Sequence, residues 1–351
     1  MGEDCELSTK FRHDGASSTE DYSVDIHPVA SKPFLLVAGD EGTLQVWDYE
    51  TGELVASCSI PRKRVARAKF VPQEHWAILT DQDSIHVYEQ RGDRLVEIKT
   101  ICANNAGGTV TWKFAVHPLL PMMLTAAGTD VKLWSWSPKW DHICLKNCHT
   151  DLVTDVAAHP LEAGTFASCS VDMTIKVWSQ ETNLKTLRCR NKVMSVQFGW
   201  KAWQKPLLFA SAHPPLGSSV GELLIWDYKK GNCIATFGSH PGTPRAFFPH
   251  PAMPYLVSAD NQSNIKVWNE TSCKMVSSFS VRYLRDLHCL VPCRHSNFIA
   301  AGGRGTAAVI EVERTGKGGG SDSDDDDDDV ASAAAKAVVA AALLRMLSLS
   351  N

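Results

Sequence analysis

Through residues 1–314 the chain has no apolar run long enough to cross a membrane. Its opening stretch, MGEDCELSTK, is charged and lacks the apolar core of a secretory signal. Gly2 is not followed by a myristoylation pattern, because Glu6 stands where Ser or Thr is needed. There is no Gly-rich phosphate loop, no H-E-x-x-H and no nucleophile elbow. Basic residues are not in excess. The net charge is −4, but residues 315–351 alone hold seven Asp against three Lys or Arg. The other 314 residues carry 32 acids and 32 bases, so a general nucleic-acid binder is not expected. The 11 cysteines lack a doubled C-x-x-C spacing; free thiols in a reducing, cytoplasmic setting are the expectation.

What is present is repetition. Phe166–Trp178, FASCSVDMTIKVW, reads as two short strands around a turn, the second alternating apolar and polar and ending on an aromatic. The ending recurs at Trp47, Tyr88, Trp134, Trp178, Trp226 and Trp268, with a worn copy at Ile310. Successive spacings are 41, 46, 44, 48, 42 and 42 residues. That period is the mark of four-stranded propeller blades. The expected fold is therefore all-β, with seven copies implying seven blades over residues 24–314. Residues 1–23 are read as a polar segment in which Cys5–Phe11 either closes the ring as a strand or belongs to a tail. Residues 315–351 are read as a Gly linker, the acidic run Asp324–Asp329 and an Ala-rich tail, disordered or helical. A membrane anchor there is opposed by Lys336 and Arg345.

Within a blade, a His before the first strand, a Ser on the second, the turn Asp and the terminal Trp can form one hydrogen-bonded chain. One set is His149, Ser168, Asp172 and Trp178; another is His240, Ser258, Asp260 and Trp268. The first contains the residue types of a catalytic triad, but recurrence at one blade phase favours a structural role and no enzyme activity. Blades two and three lack much of the set and are expected to be less rigid. His-Pro pairs at 27–28, 117–118, 159–160 and 250–251 read as turns ending the first strands. Cys144 and Cys148 beside His149, and Cys289 and Cys293 near His295, have the wrong spacing for zinc. No metal or cofactor is expected.

Pro61–Phe70, PRKRVARAKF, holds five bases and no acid. Arg62, Lys63, Arg64 and Arg67, with Arg245 and Arg285 where later blades begin, are candidates for binding an anionic or carboxylate group on a peptide, or else form a solvated loop.

These phrases resemble the WD-repeat family. A closer similarity is to the N-terminal propeller of coatomer beta-prime subunits. It is carried by V-D-I-H-P at 24–28, V-W-D-Y-E-T at 46–51, F-A-V-H-P at 114–118, V-K-L-W-S-W at 131–136 with Lys139-Trp140, the 166–178 phrase, I-W-D-Y at 225–228 and I-K-V-W-N at 265–269. The resemblance implies a part in vesicle coats between Golgi and endoplasmic reticulum. Its implied partners are coat subunits or dilysine cargo tails, with membranes met only indirectly and a monomer outside the complex. The chain departs from the family's cargo pocket at Glu20-Asp21-Tyr22, Asp40, Arg67 beside Ala66, Gly128 and Ser219. The alternative is a diverged adaptor that has lost dilysine recognition.

Overall fold

A computed structural model describes residues 4–15, 21–39, 41–60, 65–81, 84–102, 113–199, 206–241, 244, 246–250, 255–260, 262–294 and 296–315. These fold as successive four-stranded antiparallel units. After β1 (Asp4–Asp14) the first unit is β2 (Tyr22–Ile26), β3 (Phe34–Gly39), β4 (Thr43–Asp48) and β5 (Leu54–Ser59). The second is β6 (Arg67–Phe70), β7 (Trp76–Thr80), β8 (Ser84–Arg91) and β9 (Arg94–Cys102). Next come β10 (Phe114–Val116), β11 (Met122–Ala127), β12 (Asp130–Ser135) and β13 (Asp141–Leu145). They are followed by β14 (Val153–Ala158), β15 (Thr165–Ser170), β16 (Thr174–Ser179) and β17 (Thr182–Arg188). Then follow β18 (Val193–Phe198), β19 (Leu207–Ala212), β20 (Val220–Asp227) and β21 (Asn232–Pro241). The last full run is β22 (Ala246–Pro249), β23 (Tyr255–Ala259), β24 (Asn264–Asn269) and β25 (Met275–Ser280). The chain finishes with β26 (Arg285–Pro292), β27 (Phe298–Arg304) and β28 (Thr306–Thr315).

The final sheet has the order β1-β28-β27-β26. Its outer strand is thus the earliest one, registered Asp4 to Thr315 and Asp14 to Thr306. The strand is longer than the Cys5–Phe11 stretch that alternation marks, because pairing continues past a bulge near Lys10. The first two units differ from fully separate sheets: a single parallel bridge, Ser57 to Arg94, joins β5 to β9. It forms because the tight Asp93 turn brings a carbonyl to the Ser57 N–H at 3.1 Å.

Apolar side chains pack between sheets, not within them. Leu36, Leu44 and Val46 meet Ala68, Phe70 and Leu79. Ile78 and Val87 meet Phe114 and Met123. Leu124 and Leu133 meet Val156 and Phe166. Further clusters continue through Val177 with Leu208, Phe209 with Leu256, and Val257 with Leu290. Val24 and Leu35 complete the circuit against Ala300 and Val309. Each sheet covers its neighbour and the last covers the first, the closed arrangement of a β-propeller. Middle strands such as β15, β19 and β23 are buried at every position. The outer strands β13, β17 and β21 leave Ile143, Leu184 and Ile234 exposed.

The strand ends carry a shared irregularity. In β4, β8, β16, β20 and β24 the register to the next strand slips just before Trp47, Tyr88, Trp178, Trp226 and Trp268. A bulge bends the strand and re-aims a side chain. In β12 the pairing runs through Trp134 without a slip, and His142 stacks on its ring at 4.5 Å.

Candidate functional site

Around the chain that begins on Trp178, every donor meets an acceptor. The Trp178 indole N–H donates to Ser168 Oγ at 2.9 Å. Ser168 Oγ lies 2.8 Å from His149 Nε2, and His149 Nδ1 lies 2.9 Å from Asp172 Oδ2. Asp172 Oδ2 also accepts the Thr150 N–H at 3.0 Å, while its Oδ1 accepts the Thr174 hydroxyl at 2.6 Å. Burial pushes the Asp172 carboxyl upward, but these donors and His149 outweigh it and bring it to about 2. Burial lowers the His149 imidazole. The consistent assignment is a neutral ring accepting at Nε2 from the Ser168 hydroxyl and donating from Nδ1 to the carboxylate.

The β22–β25 sheet repeats this geometry. Trp268 donates to Ser258 at 2.8 Å, Ser258 sits 2.8 Å from His240 Nε2, and His240 Nδ1 is 3.1 Å from Asp260. Ser168, Ser258 and His240 have no exposed surface, and each Ser Oγ is capped by an indole. A nucleophile needs room beside it for a carbonyl, so the set is architectural. Among the described residues no three His, Cys, Asp or Glu gather as a metal site. Cys148 instead donates its thiol to the Leu145 carbonyl.

The remaining sheets show what decides the chain. The acceptor is the residue two beyond the aromatic's register partner on the second strand. Phe166 opposes Trp178, so Ser168 serves; Leu256 opposes Trp268, so Ser258 serves. Met123 opposes Trp134, and Thr125 accepts its indole at 2.9 Å. At the same place β3 has Val37, and Trp47 turns to Gln45 at 3.1 Å. β19 has Ala210 there, and the buried Trp226 Nε1 has no partner among the described residues.

The β6–β9 sheet substitutes a different anchor. His86 stands where β12, β16 and β24 carry Lys132, Lys176 and Lys266, each with its ammonium over the neighbouring Trp ring at 5.8–5.9 Å. His86 is 1% exposed, with Nε2 at 3.0 Å from Asp81 and Nδ1 at 2.7 Å from Glu97. The expected loosening of this sheet thus meets a buried polar set that alternation alone does not reveal. Its only local signal is a His in a period-2 strand slot otherwise taken by Lys.

The His-Pro pairs have a common use. His27, His117, His159 and His250 each follow directly after a first strand. Nδ1 of His27, His117 and His159 accepts backbone N–H groups of the turn at 2.8–3.2 Å. Burial lowers all four imidazoles to about 4. Neutral rings can accept there; protonated ones cannot.

First strands line a central cavity of about 170 Å³, with residues from β2, β6, β10, β14, β18, β22 and β26 in its wall. Neighbouring first strands are tied by side chains. Ser23 accepts the Ala68 N–H at 3.0 Å and Asp25 accepts the Phe70 N–H at 2.8 Å, so β2 and β6 run alongside in parallel. Asp155 likewise accepts from the Ser195 hydroxyl and the Val196 N–H.

Among the candidate peptide-binding bases, Arg62, Lys63, Arg64 and Arg245 lie outside the described residues. Arg67 opens β6 and lines the cavity. Arg285 opens β26, is exposed, and is not part of that wall. The structure therefore does not bring Arg67 and Arg285 to one lining. Instead it adds Lys69, Lys113 and Arg294 to Arg67. No short motif holds these together, because each strand supplies its residues from a separate repeat.

Comparison with known proteins follows this anatomy. The WD domain, G-beta repeat model matches residues 142–179 and 231–269, the two stretches that contain the complete Trp–Ser–His–Asp chains. Over 295 residues the chain is 27% identical to Coatomer subunit beta' of Rattus norvegicus, covering 83% of this chain and 31% of that protein. Coatomer subunit beta'-2 of Arabidopsis thaliana is 27% identical over 235 residues, 66% of this chain and 24% of the relative. Nuclear distribution protein PAC1 of Arthroderma benhamiae is 29% identical over 167 residues, 44% of this chain and 34% of that protein. Two stretches of the chain match the WD repeat, and its closed set of four-stranded sheets is consistent with a WD-repeat-like propeller with the capacity to bind other proteins. Within that class it is related to the coatomer beta-prime subunits, of whose length it spans about a quarter to a third. Among the described residues no helix is long and apolar enough to cross a membrane.

Proposed function

We propose that the chain is a seven-bladed WD-repeat platform working with a vesicle coat in protein transport between Golgi and endoplasmic reticulum. In this reading residues 24–314 are the blades, residues 1–23 bring the closing strand, and residues 315–351 form the linker, acidic run and Ala-rich tail. The protein is a cytoplasmic monomer that reaches Golgi membranes through its partners. The observation that carries the reading is the span of the beta-prime similarity, 83% of this chain and not one repeat. Affinity purification of the full chain with imaging tests it. Coat subunits among the captured proteins and overlap with Golgi markers are the expected result; neither one appearing overturns it.

A second reading, a diverged adaptor without dilysine recognition, is favoured by one contact. Where the resemblance implies bases before blade one, Asp21 lies 3.5 Å from Arg304. A calorimetric titration with a K-K-x-x peptide decides it. Heat of binding that disappears in Arg64→Ala and Arg67→Ala would sink this second reading.

A further inference from the structure

Four cations face the central cavity: Arg67 and Lys69 from β6, Lys113 just before β10, and Arg294 just after β26. One carboxylate, Asp25, shares the wall. Asp25 is already engaged, accepting the Phe70 N–H at 2.8 Å with Lys69 Nζ at 4.0 Å. Asp155, near enough to Lys113 to favour its charge, accepts from Ser195 and Val196 at Oδ2, while its buried Oδ1 makes no hydrogen bond among the described residues. The Arg67 guanidinium and the Lys113 ammonium make no hydrogen bond or ion pair among the described residues. Burial, and then the nearby Arg67 charge, lower the Lys113 ammonium. Gathering like charges in a confined space is unfavourable unless an opposite charge joins them.

We propose that this cavity binds a small soluble polyphosphate anion, with Arg67 and Lys113 as its principal ligands and Lys69 and Arg294 flanking them. Phosphate oxygens accept from both the guanidinium fork and the ammonium, and charge-assisted bonds of this kind are the strong ones. Basic side chains outnumber the carboxylates around the lining, with Arg67 and Lys113 making no hydrogen bond or ion pair among the described residues, so a ligand of several negative charges matches it. A lone carboxylate would match only one of Arg67 and Lys113. At about 170 Å³ the space suits a compact anion and excludes a folded segment. Arg67 and Lys69 project two residues apart on one strand, about 7 Å along it, the reach of linked phosphates. Val116, Ala157, Phe198 and Phe248 supply apolar wall that strengthens each charge contact. The site does not rest on the coat reading; it shares Arg67 with the K-K-x-x titration, and Lys113, which that titration does not change, tells the two apart.

Titration calorimetry and thermal melts of the full chain, with sodium tripolyphosphate, inorganic phosphate and sodium acetate as probes, test the proposal. Tripolyphosphate should bind most tightly and raise the melting temperature. Affinity should fall ~10-fold or more in Lys113→Met and in Arg67→Gln, each losing a charge-assisted bond. It should change less than about twofold in Arg62→Ala/Arg64→Ala, which keeps Arg67, Lys69, Lys113 and Arg294. Melts without ligand show that each variant is folded; Arg67→Gln provides the reading if Lys113→Met fails to fold. Absence of tripolyphosphate binding would overturn the proposal. So would equal affinity for acetate, binding lost in Arg62→Ala/Arg64→Ala but kept in Lys113→Met and Arg67→Gln, or capture by phosphoinositide vesicles with no response to the soluble anion.

Discussion

The β14–β17 and β6–β9 sheets solve one problem by different chemistry. Both bury an aromatic at the end of the third strand, Trp178 in one and Tyr88 in the other. The first ties its Trp through Ser168 and His149 to the turn carboxylate Asp172. The second sets a His between Asp81 and Glu97 inside the third strand itself. These two sheets thus place a buried polar anchor at this end with different residues, each donor finding an acceptor, whereas the β18–β21 sheet buries Trp226 with its indole N–H unpartnered among the described residues.

The largest way to disturb this balance acts on neither sheet directly. Deleting residues 1–15 removes β1 and opens the edge of β28. It should abolish a single cooperative urea transition, seen by circular dichroism and fluorescence, and β14–β17 and β6–β9 should then unfold separately.

Acid comes next. The β14–β17 unit adjoins His159, held at about 4 in the folded protein against an ordinary 6.5. The unfolded chain therefore binds the extra proton, and stability present above pH 6.5 is eroded as pH falls toward 4. Asp172, held at about 2, keeps its charge through that window and loses its contribution only as pH falls from about 3.8 through 2. A protonated His159 loses the acceptor used by Leu161 and Glu162. Hydrogen exchange in β14–β17 should rise between pH 6.5 and 4.

Ser168→Ala strands the Trp178 donor and the His149 ring and should lower stability by about 2–4 kcal/mol; Ser258→Ala should match it. Thr125→Val, which strands only the Trp134 indole, should lower it by about 1 kcal/mol. Urea midpoints for the three variants rank them, and equal shifts would show that the Asp–His extension adds nothing. The smallest effect lies in the turn itself. Met173 is exposed with φ of +63°, a left-handed conformation that disfavours a side chain. Met173→Gly should raise stability by about 0.5–1 kcal/mol, measured the same way.

The repeat was legible because a strand that must fit between two sheets has little freedom: alternation and a terminal aromatic recur wherever Leu44–Val46 or Ile175–Val177 must face the same way. The Trp–Ser–His–Asp chain was legible for the same reason, all four residues falling within one repeat. His86 was not, since a single exchange in a strand carries no spacing. The cavity cations were not either. Arg67 reads as part of a basic loop, and only its place on β6 turns it, with Lys69, toward the centre. Lys113 and Arg294 come from repeats far apart in sequence, so no window along the chain contains the group.

The pairing of Asp4 with Thr315 sets the two ends of the described fold side by side. A short linker across that gap and a new cut in the exposed turn at Leu216 and Gly217 would give a circular permutant with the same sheets in a new chain order. In such a molecule the clasp becomes an ordinary hairpin, and the step that joins residues some three hundred apart disappears from folding.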